Sequence, residues 1–304
     1  MEVVVVVDGP DPAAATLLEA NEDPRVRVVF LDEPRGGSEA RNVGVRAARG
    51  DWIAFLDDDD EWLPDKIERQ MRAARAMPDW FPVVSCRLIA QSPSARRVLP
   101  LEPCRPTQPV ADFLFCRSGL RDPGGVMQSS TLLAPRDLLT AIPFQPGLAM
   151  HQDWDWLIRV ASCKGVGVSM LAQPLVIWRV EDDRATTGRS CDWRLSLAWI
   201  RETRPLISPR AFSWFVAIQC AWRAQASGAS LRARLGLLGP CLFEGHAEFR
   251  SLLSFFVFAF LPPRLRRWMR RMFGGSRGRR DESPGLRLVF TRPVSTPVLR
   301  KTSS

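Results

Sequence analysis

The stretch Trp52-Ile-Ala-Phe-Leu-Asp-Asp-Asp-Asp-Glu-Trp-Leu-Pro-Asp65 decides the fold. A short apolar run, 53–56, meets four carboxylates, Asp57, Asp58, Asp59 and Asp60, and Pro64 then opens a helical pattern. Four adjacent acids repel one another, so holding them at the end of a buried strand calls for a compensating ligand. Hard oxygen donors of this kind suit a divalent cation, magnesium or manganese. In an open α/β sheet, ligands bind outside the carboxyl ends of the strands, where these acids would lie. Read alone, the run also suits a solvated acidic loop whose charges favour the N-terminus of the next helix.

Upstream, Val3–Val7 is a five-valine run ending at Asp8-Gly9-Pro10, expected of a strand covered on both faces in a parallel sheet. Residues 13–20 predict a short helix and 26–31 a second strand. After Gly36-Gly37, Ser38 is placed to cap a helix over 38–49, with Ala40, Val43 and Ala47 as its apolar stripe. The third strand is 52–56. This alternation is that of a doubly wound α/β domain. Downstream, 64–77 reads as an amphipathic helix, 82–89 as a strand, 91–109 as a loop and 126–134 as a strand. Residues 135–141 read as a short helix, and a longer one follows His151-Gln152-Asp153 to about Lys164. Strands at 166–171 and 174–178 close the α/β part, and helical patterns follow at 193–202, 211–226 and 231–243.

Four segments together resemble family 2 glycosyltransferases of bacterial glycan assembly, which have the GT-A fold. They are Val-Val-Asp-Gly-Pro-Asp (6–11), Ser-Glu-Ala-Arg-Asn-Val-Gly (38–44), Phe-Leu-Asp-Asp-Asp-Asp-Glu-Trp-Leu-Pro-Asp-Lys (55–66) and His-Gln-Asp-Trp-Asp-Trp (151–156). The resemblance covers roughly residues 1–185 and implies a nucleotide-diphosphate sugar donor with a divalent metal on the pyrophosphate. It implies Asp59 as metal ligand, with Asp57 or Asp58 reaching the ribose or the metal through water. Asp8 would meet the nucleotide base, and Arg41 would lie near base and diphosphate. Asp8 equally suits a turn, and Arg41 a salt bridge on a helix face. Asp153 matches the acid that inverting members use as general base, and it also suits a helix N-cap. The family often carries Glu-Asp where this chain has Gln152-Asp153. Gln128, Ser129, Ser130 and Trp154 are candidates to line the acceptor, while Asn42, His151 and Asp155 read as structural. The histidine that often follows the equivalent of Trp178-Arg179 is absent; Glu181 or Asp182 stands nearby, and ordinary loop acids are the simpler reading.

The resemblance also implies a further strand and a Pro-x-Tyr/His-Asn-like loop ahead of Val3, which this sequence does not show. Either the start lies upstream or part of the donor site is lacking; in the second case the expectation is an exposed flank on Val3–Val7, with poor solubility or weak donor binding.

Net charge is +9, but residues 263–304 hold eleven Arg and one Lys against Asp281 and Glu282, so the rest is close to neutral. Seven scattered cysteines without a CxxC pair fit reduced thiols in a cytoplasmic protein rather than a disulfide framework or zinc site. No recognised nucleic-acid module accompanies the basic tail, and nucleic acid is not an expected partner. The apolar run 252–261, ten residues, is short of the ~20 that span a bilayer. With the Arg-rich segment 264–271 it suits either a helix on the anionic inner face of the plasma membrane (250–271) or a core helix with a solvated tail.

The expected organisation is a GT-A domain over 1–185, a helical extension over 186–262 and a basic tail over 263–304. The expected activity is inverting transfer of a sugar to a glycan or lipid-linked acceptor. A catalytically inactive binding or scaffold subunit is the alternative, favoured by the missing first strand.

Overall fold

A computed structural model describes residues 1–93, 95–118, 122–180, 192–262 and 265. In order the chain forms β1 (Val3–Val7), α1 (Pro12–Glu19), β2 (Val26–Phe30), α2 (Gly37–Ala47), β3 (Trp52–Ala54), β4 (Asp60–Trp62), α3 (Lys66–Ala76) and β5 (Phe81–Ser92). Then come β6 (Ala95–Leu99), α4 (Val110–Phe115), β7 (Leu133–Pro135), α5 (Arg136–Ala141), α6 (Gln152–Ala161) and β8 (Val166–Arg179). The extension comprises α7 (Trp193–Thr203), α8 (Pro209–Phe215), α9 (Ala221–Ala226), α10 (Leu231–Gly236) and α11 (Phe249–Phe260), with π-helical turns at Val216–Cys220 and Pro240–Glu244.

Two sheets form. β1 and β2 make a parallel ribbon, and six strands form a mixed sheet in the order β3-β7-β5-β8-β4, with β6 beside β5. Within the larger sheet only β5–β8 is parallel. Its order has a geometric consequence for the acidic run. β3 and β4 lie at opposite ends of the path, yet only residues 55–59 join them. Four strand spacings measure about 19 Å in a flat sheet. The link from Ala54 to Asp60 reaches about 20 Å only when fully extended. It is not fully extended, because the Asp60 amide donates to the Asp57 carbonyl at 3.1 Å and closes a turn. The sheet therefore curls, and the carboxylates are drawn across its mouth.

Several sequence expectations change. The valine run lies in a two-stranded ribbon, with Val3 exposed and the other valines half-buried, instead of being covered on both faces. β4, hidden in the acidic stretch, pairs antiparallel with β8. Part of the loop at 91–109 is a strand, since β5 runs on to Ser92 and β6 folds back on it. The two short strands after 166 are one 14-residue strand, interrupted where its register against β5 slips between Cys86 and Leu88. The strand expected over 126–134 survives only as β7; before it Ser129–Thr131 is a 3₁₀ turn. There the Ser129 amide is committed to a side chain and the Thr131 amide to the Gln128 carbonyl, so neither joins a ladder. The helix expected over 231–243 ends at Gly236 and resumes as a π-helical turn from Pro240, which has no N–H to carry the helical ladder across. Glu181, Asp182 and the tail beyond 265 lie outside the described residues.

The main core is continuous from the sheet into the extension. Val83, Leu132, Phe144, Trp156 and Leu157 pack in one cluster with Trp199, Phe212, Trp214, Phe215 and Phe255. Among the described residues no helix is long and apolar enough to cross a membrane.

Candidate active site

Arg41, on α2, is the hub. Its Nη2 donates to Asp57 Oδ1 at 2.8 Å and to Ser129 Oγ at 3.0 Å, while Nη1 donates to Gln152 Oε1 at 2.8 Å. Four elements far apart in sequence thus meet on one guanidinium, whose fork of donors suits such planar recognition. A Cβ on Gly37 would stand 3.0 Å from both Arg41 Nη1 and Gln152 Oε1, so a larger residue there would press on this pair.

The 3₁₀ turn is the second organiser. Ser129 Oγ bonds both oxygens of Asp57, and its amide donates to Asp153 Oδ2 at 3.1 Å. Ser130 Oγ receives the Asp57 amide at 3.0 Å, and the Ser130 carbonyl accepts from Trp62 Nε1. Gln128 Nε2 donates to Asp60 Oδ2 at 2.8 Å. The residues expected to line the acceptor therefore also hold the acids in place.

Asp153 sits in the first turn of α6, but not as its cap. The cap position belongs to His151, whose φ of 63° is the one left-handed non-glycine backbone among the described residues. Asp153 Oδ1 is buried without a hydrogen-bond partner. Burial pushes its carboxyl above the usual range, and the charge of Asp57 adds to the rise; Arg41 and the Ser129 amide oppose it. Burial also works against the charge on Arg41, but Asp153 and Asp57 outweigh it and raise the guanidinium above its ordinary value. Asp60 is pushed up to about 6 by burial, against a hydrogen bond from Ser130 and with added repulsion from Asp59 and Asp57. Its Oδ1 is likewise buried and unpartnered. Asp58 is exposed and Asp59 half-buried on the intervening turn.

Asp8 stands apart from this network. Its carboxylate accepts the Arg35 and Gly36 amides at 2.7 and 2.8 Å, shaping the loop that enters α2. Asn42 pairs reciprocally with the backbone of Phe144, a supporting role. Trp154 stacks on His151 and meets Phe115 and Phe215 edge-on, within an aromatic cluster.

Two supports were not foreseen. Lys66, one of three lysines in the chain, is fully buried over the Trp62 ring at 4.3 Å and donates to Gln70 Oε1 at 2.7 Å. Burial lowers its ammonium to about 8. Gln70 in turn donates to the carbonyls of Val84 and Thr131, tying α3 beneath the site. Lys66 closes the 55–66 segment, and a lysine so placed among few others was the available signal. The second support comes from the extension. His151 stacks between Trp154 and Trp199, its Nε2 lies 3.0 Å from Ser196 Oγ, and Trp199 Nε1 donates to Asp155 Oδ1. Burial, with some help from Arg223, holds His151 well below its usual pKa, so it is neutral. No sequence signal links residues 151 and 199.

Residues 1–105 match the profile of Glycosyl transferase family 2. Over 242 residues the chain is 29% identical to the amylovoran biosynthesis glycosyltransferase AmsB of Erwinia amylovora, covering 76% of this chain and 78% of that one. The chain carries a family 2 glycosyltransferase domain match over residues 1–105. It is a glycosyltransferase. A 76-residue segment is 50% identical to the succinoglycan biosynthesis protein ExoO of Rhizobium meliloti (strain 1021), covering 25% of this chain and 22% of that protein. The fold is GT-A. It is shared with the S. aureus TarS 1–349 structure in complex with UDP-GlcNAc, at TM-score 0.53 and 15% identity over 87% of this chain and 73% of that one.

Proposed function

We propose that this glycosyltransferase moves a sugar, with inversion, from a nucleotide-diphosphate sugar to a glycan or lipid-linked acceptor in polysaccharide biosynthesis. The observation that carries this reading is Asp153: one carboxylate oxygen is fixed by the Ser129 amide, the other is buried and unpartnered, and the pKa is raised. A carboxylate held so is a stronger base than a free aspartate and is suited to take a proton. Asp153 accepts the proton of the acceptor hydroxyl as that oxygen bonds to the anomeric carbon. The anomeric carbon–oxygen bond to the diphosphate breaks, and its electron pair leaves on the phosphate oxygen. Arg41 bonds Asp57 and attracts Asp153 electrostatically, so it orients Asp57 and offers positive charge beside the departing diphosphate. Asp8 and Asp58 complete the proposed donor side, and Gln128, Ser129 and Trp154 the acceptor side.

A divalent cation fits the acidic turn. Asp60 Oδ1 is an orphaned buried oxygen, and Asp59 and Asp57 crowd Asp60 electrostatically. Among the described residues no three metal-ligating side chains converge. Magnesium sites on phosphate substrates need only one or two carboxylates, the rest being phosphate and water. Asp59 would hold the ion, with Asp60 beside it; when bound, the ion neutralises charge on the leaving diphosphate.

The test is donor hydrolysis and transfer with a panel of nucleotide-sugars, with and without chelator. Asp153→Asn, which preserves the Ser129 contact, should lower kcat by about a thousandfold. Turnover that survives this substitution would remove Asp153 as the base.

A further inference from the structure

The helical extension departs from an ordinary soluble surface at α11 and the elements before it. α11 buries Ser251, Ser254, Phe255 and Ala259 against the rest of the extension. Its opposite face exposes Phe249, Leu253 and Phe256, at spacings of four and three, and Phe260 stacks behind Phe256. Phe249 is 81% exposed and Phe243, on the preceding π-helical turn, is 86% exposed. α10 adds exposed Leu231 and Leu235, and its Arg234 grips the end of α11 through the Ala259 carbonyl and the Phe260 ring. Two serines and an alanine share the inner face with Phe255, while Phe249, Leu253 and Phe256 lie outside, which is not what burial favours. Exposed apolar faces of this kind mark contact surfaces.

Charge points to the occupant. The sequence leaving α11 is Pro-Pro-Arg-Leu-Arg-Arg-Trp-Met-Arg-Arg (262–271), five arginines with no acid. Arginines that follow such exposed aromatics and leucines in the sequence match the boundary between headgroups and acyl chains of an anionic bilayer, not an apolar protein groove. α11 has twelve residues, about 18 Å at the helical rise, so it can lie in that boundary but not cross it. We propose that the outer face of α11, with Phe243 and the leucines of α10, is a membrane-docking surface for anionic phospholipid, secured by the adjoining arginines. Docking is independent of the chemistry at Asp153, and it would deliver lipid-linked acceptors to a transferase that has no spanning helix among its described residues.

The experiment is vesicle flotation of the full chain on phosphatidylcholine alone and on phosphatidylcholine with phosphatidylglycerol, at low and high salt. Binding should require the anionic lipid and weaken with salt. Phe249→Gln/Leu253→Gln/Phe256→Gln should reduce the bound fraction about tenfold. Phe243→Gln/Phe249→Gln, which alters only side chains in solvent, should reduce it several-fold with an unchanged melting temperature. Glutamine at the five arginines 264, 266, 267, 270 and 271 should abolish the salt dependence. Donor hydrolysis by the same variants, assayed without vesicles, should be unchanged, which separates this proposal from the transfer reading. No flotation of the full chain on anionic vesicles, or binding untouched by both apolar-face variants, would overturn it. So would conversion of a dimer to a monomer by those variants in light scattering, since the face would then cover a second copy.

Discussion

The acidic mouth of the curled sheet and the outer face of α11 break the usual inside-outside rule in opposite directions. At the mouth, charged groups are buried: Asp153, Asp60, Arg41 and Lys66 are withdrawn from water. On α11, phenylalanines and a leucine face solvent while serines lie within. Both arrangements raise the free energy of the isolated chain, one by desolvating charge and the other by hydrating apolar surface. Each is relieved by the partner it fits. The lesson is that misplacement by polarity locates function better than any single motif, since it states what chemistry would correct it.

The largest expected break is at the buried-charge end. Beyond its effect on kcat, Asp153→Asn should erase the acid limb of the kcat/KM profile. That limb should lie above the ordinary aspartate value of 3.8, because the folded carboxyl holds its proton more tightly. A limb unchanged by the substitution would assign it to another group. Arg41→Ala should come next, losing about 3 kcal/mol in denaturant unfolding because Asp57 and Asp153 would be left without their counter-charge. Arg41→Lys should recover little, since one ammonium cannot reach Asp57, Ser129 and Gln152 together. Full rescue by lysine would mean that charge alone matters.

Trp199→Phe asks whether the extension supports the site. Losing the indole donor to Asp155 should cost about 1–2 kcal/mol and lower kcat more than it raises KM, since α6 carries Asp153. Unchanged kcat would confine Trp199 to packing. Asp60→Asn should have the smallest effect and the opposite sign. The folded state raises this pKa from 3.8 to about 6, so ionised Asp60 opposes folding above pH 6 and the penalty fades as pH falls toward 3.8. Without metal the substitution should stabilise the protein by about 1 kcal/mol at pH 7.5, screening by solvent included. That gain should vanish in acid.

Local sequence carried much of the answer. Apolar runs ending in turn residues marked β1, β2 and β3, and periodicity marked α2, α3 and α6, because those signals are set within a few residues. The four segments carried the transferase reading, and Asp57, Arg41, Ser129 and Asp153 do meet. What escaped was β4, β6 and the 3₁₀ turn at Ser129. These short segments take their conformation from partners distant in sequence, 24 residues away for the Ser129 amide, or from a hairpin fold-back, and their own periodicity is too brief to register.

The chain alone therefore determined chemistry by type: four acids after a strand, an arginine on a helix, an aspartate at a helix start, and arginines after an apolar run. Tertiary structure decided which of these share a charge environment. Strand order forced the sheet to curl and drew the acids over Ser129 and Ser130. Packing chose which side of α11 to bury and left Phe249 and Phe256 facing water. The physical reason is common to both. Desolvation and pairing energies depend on distance through space, which residue spacing does not encode once the chain folds back on itself.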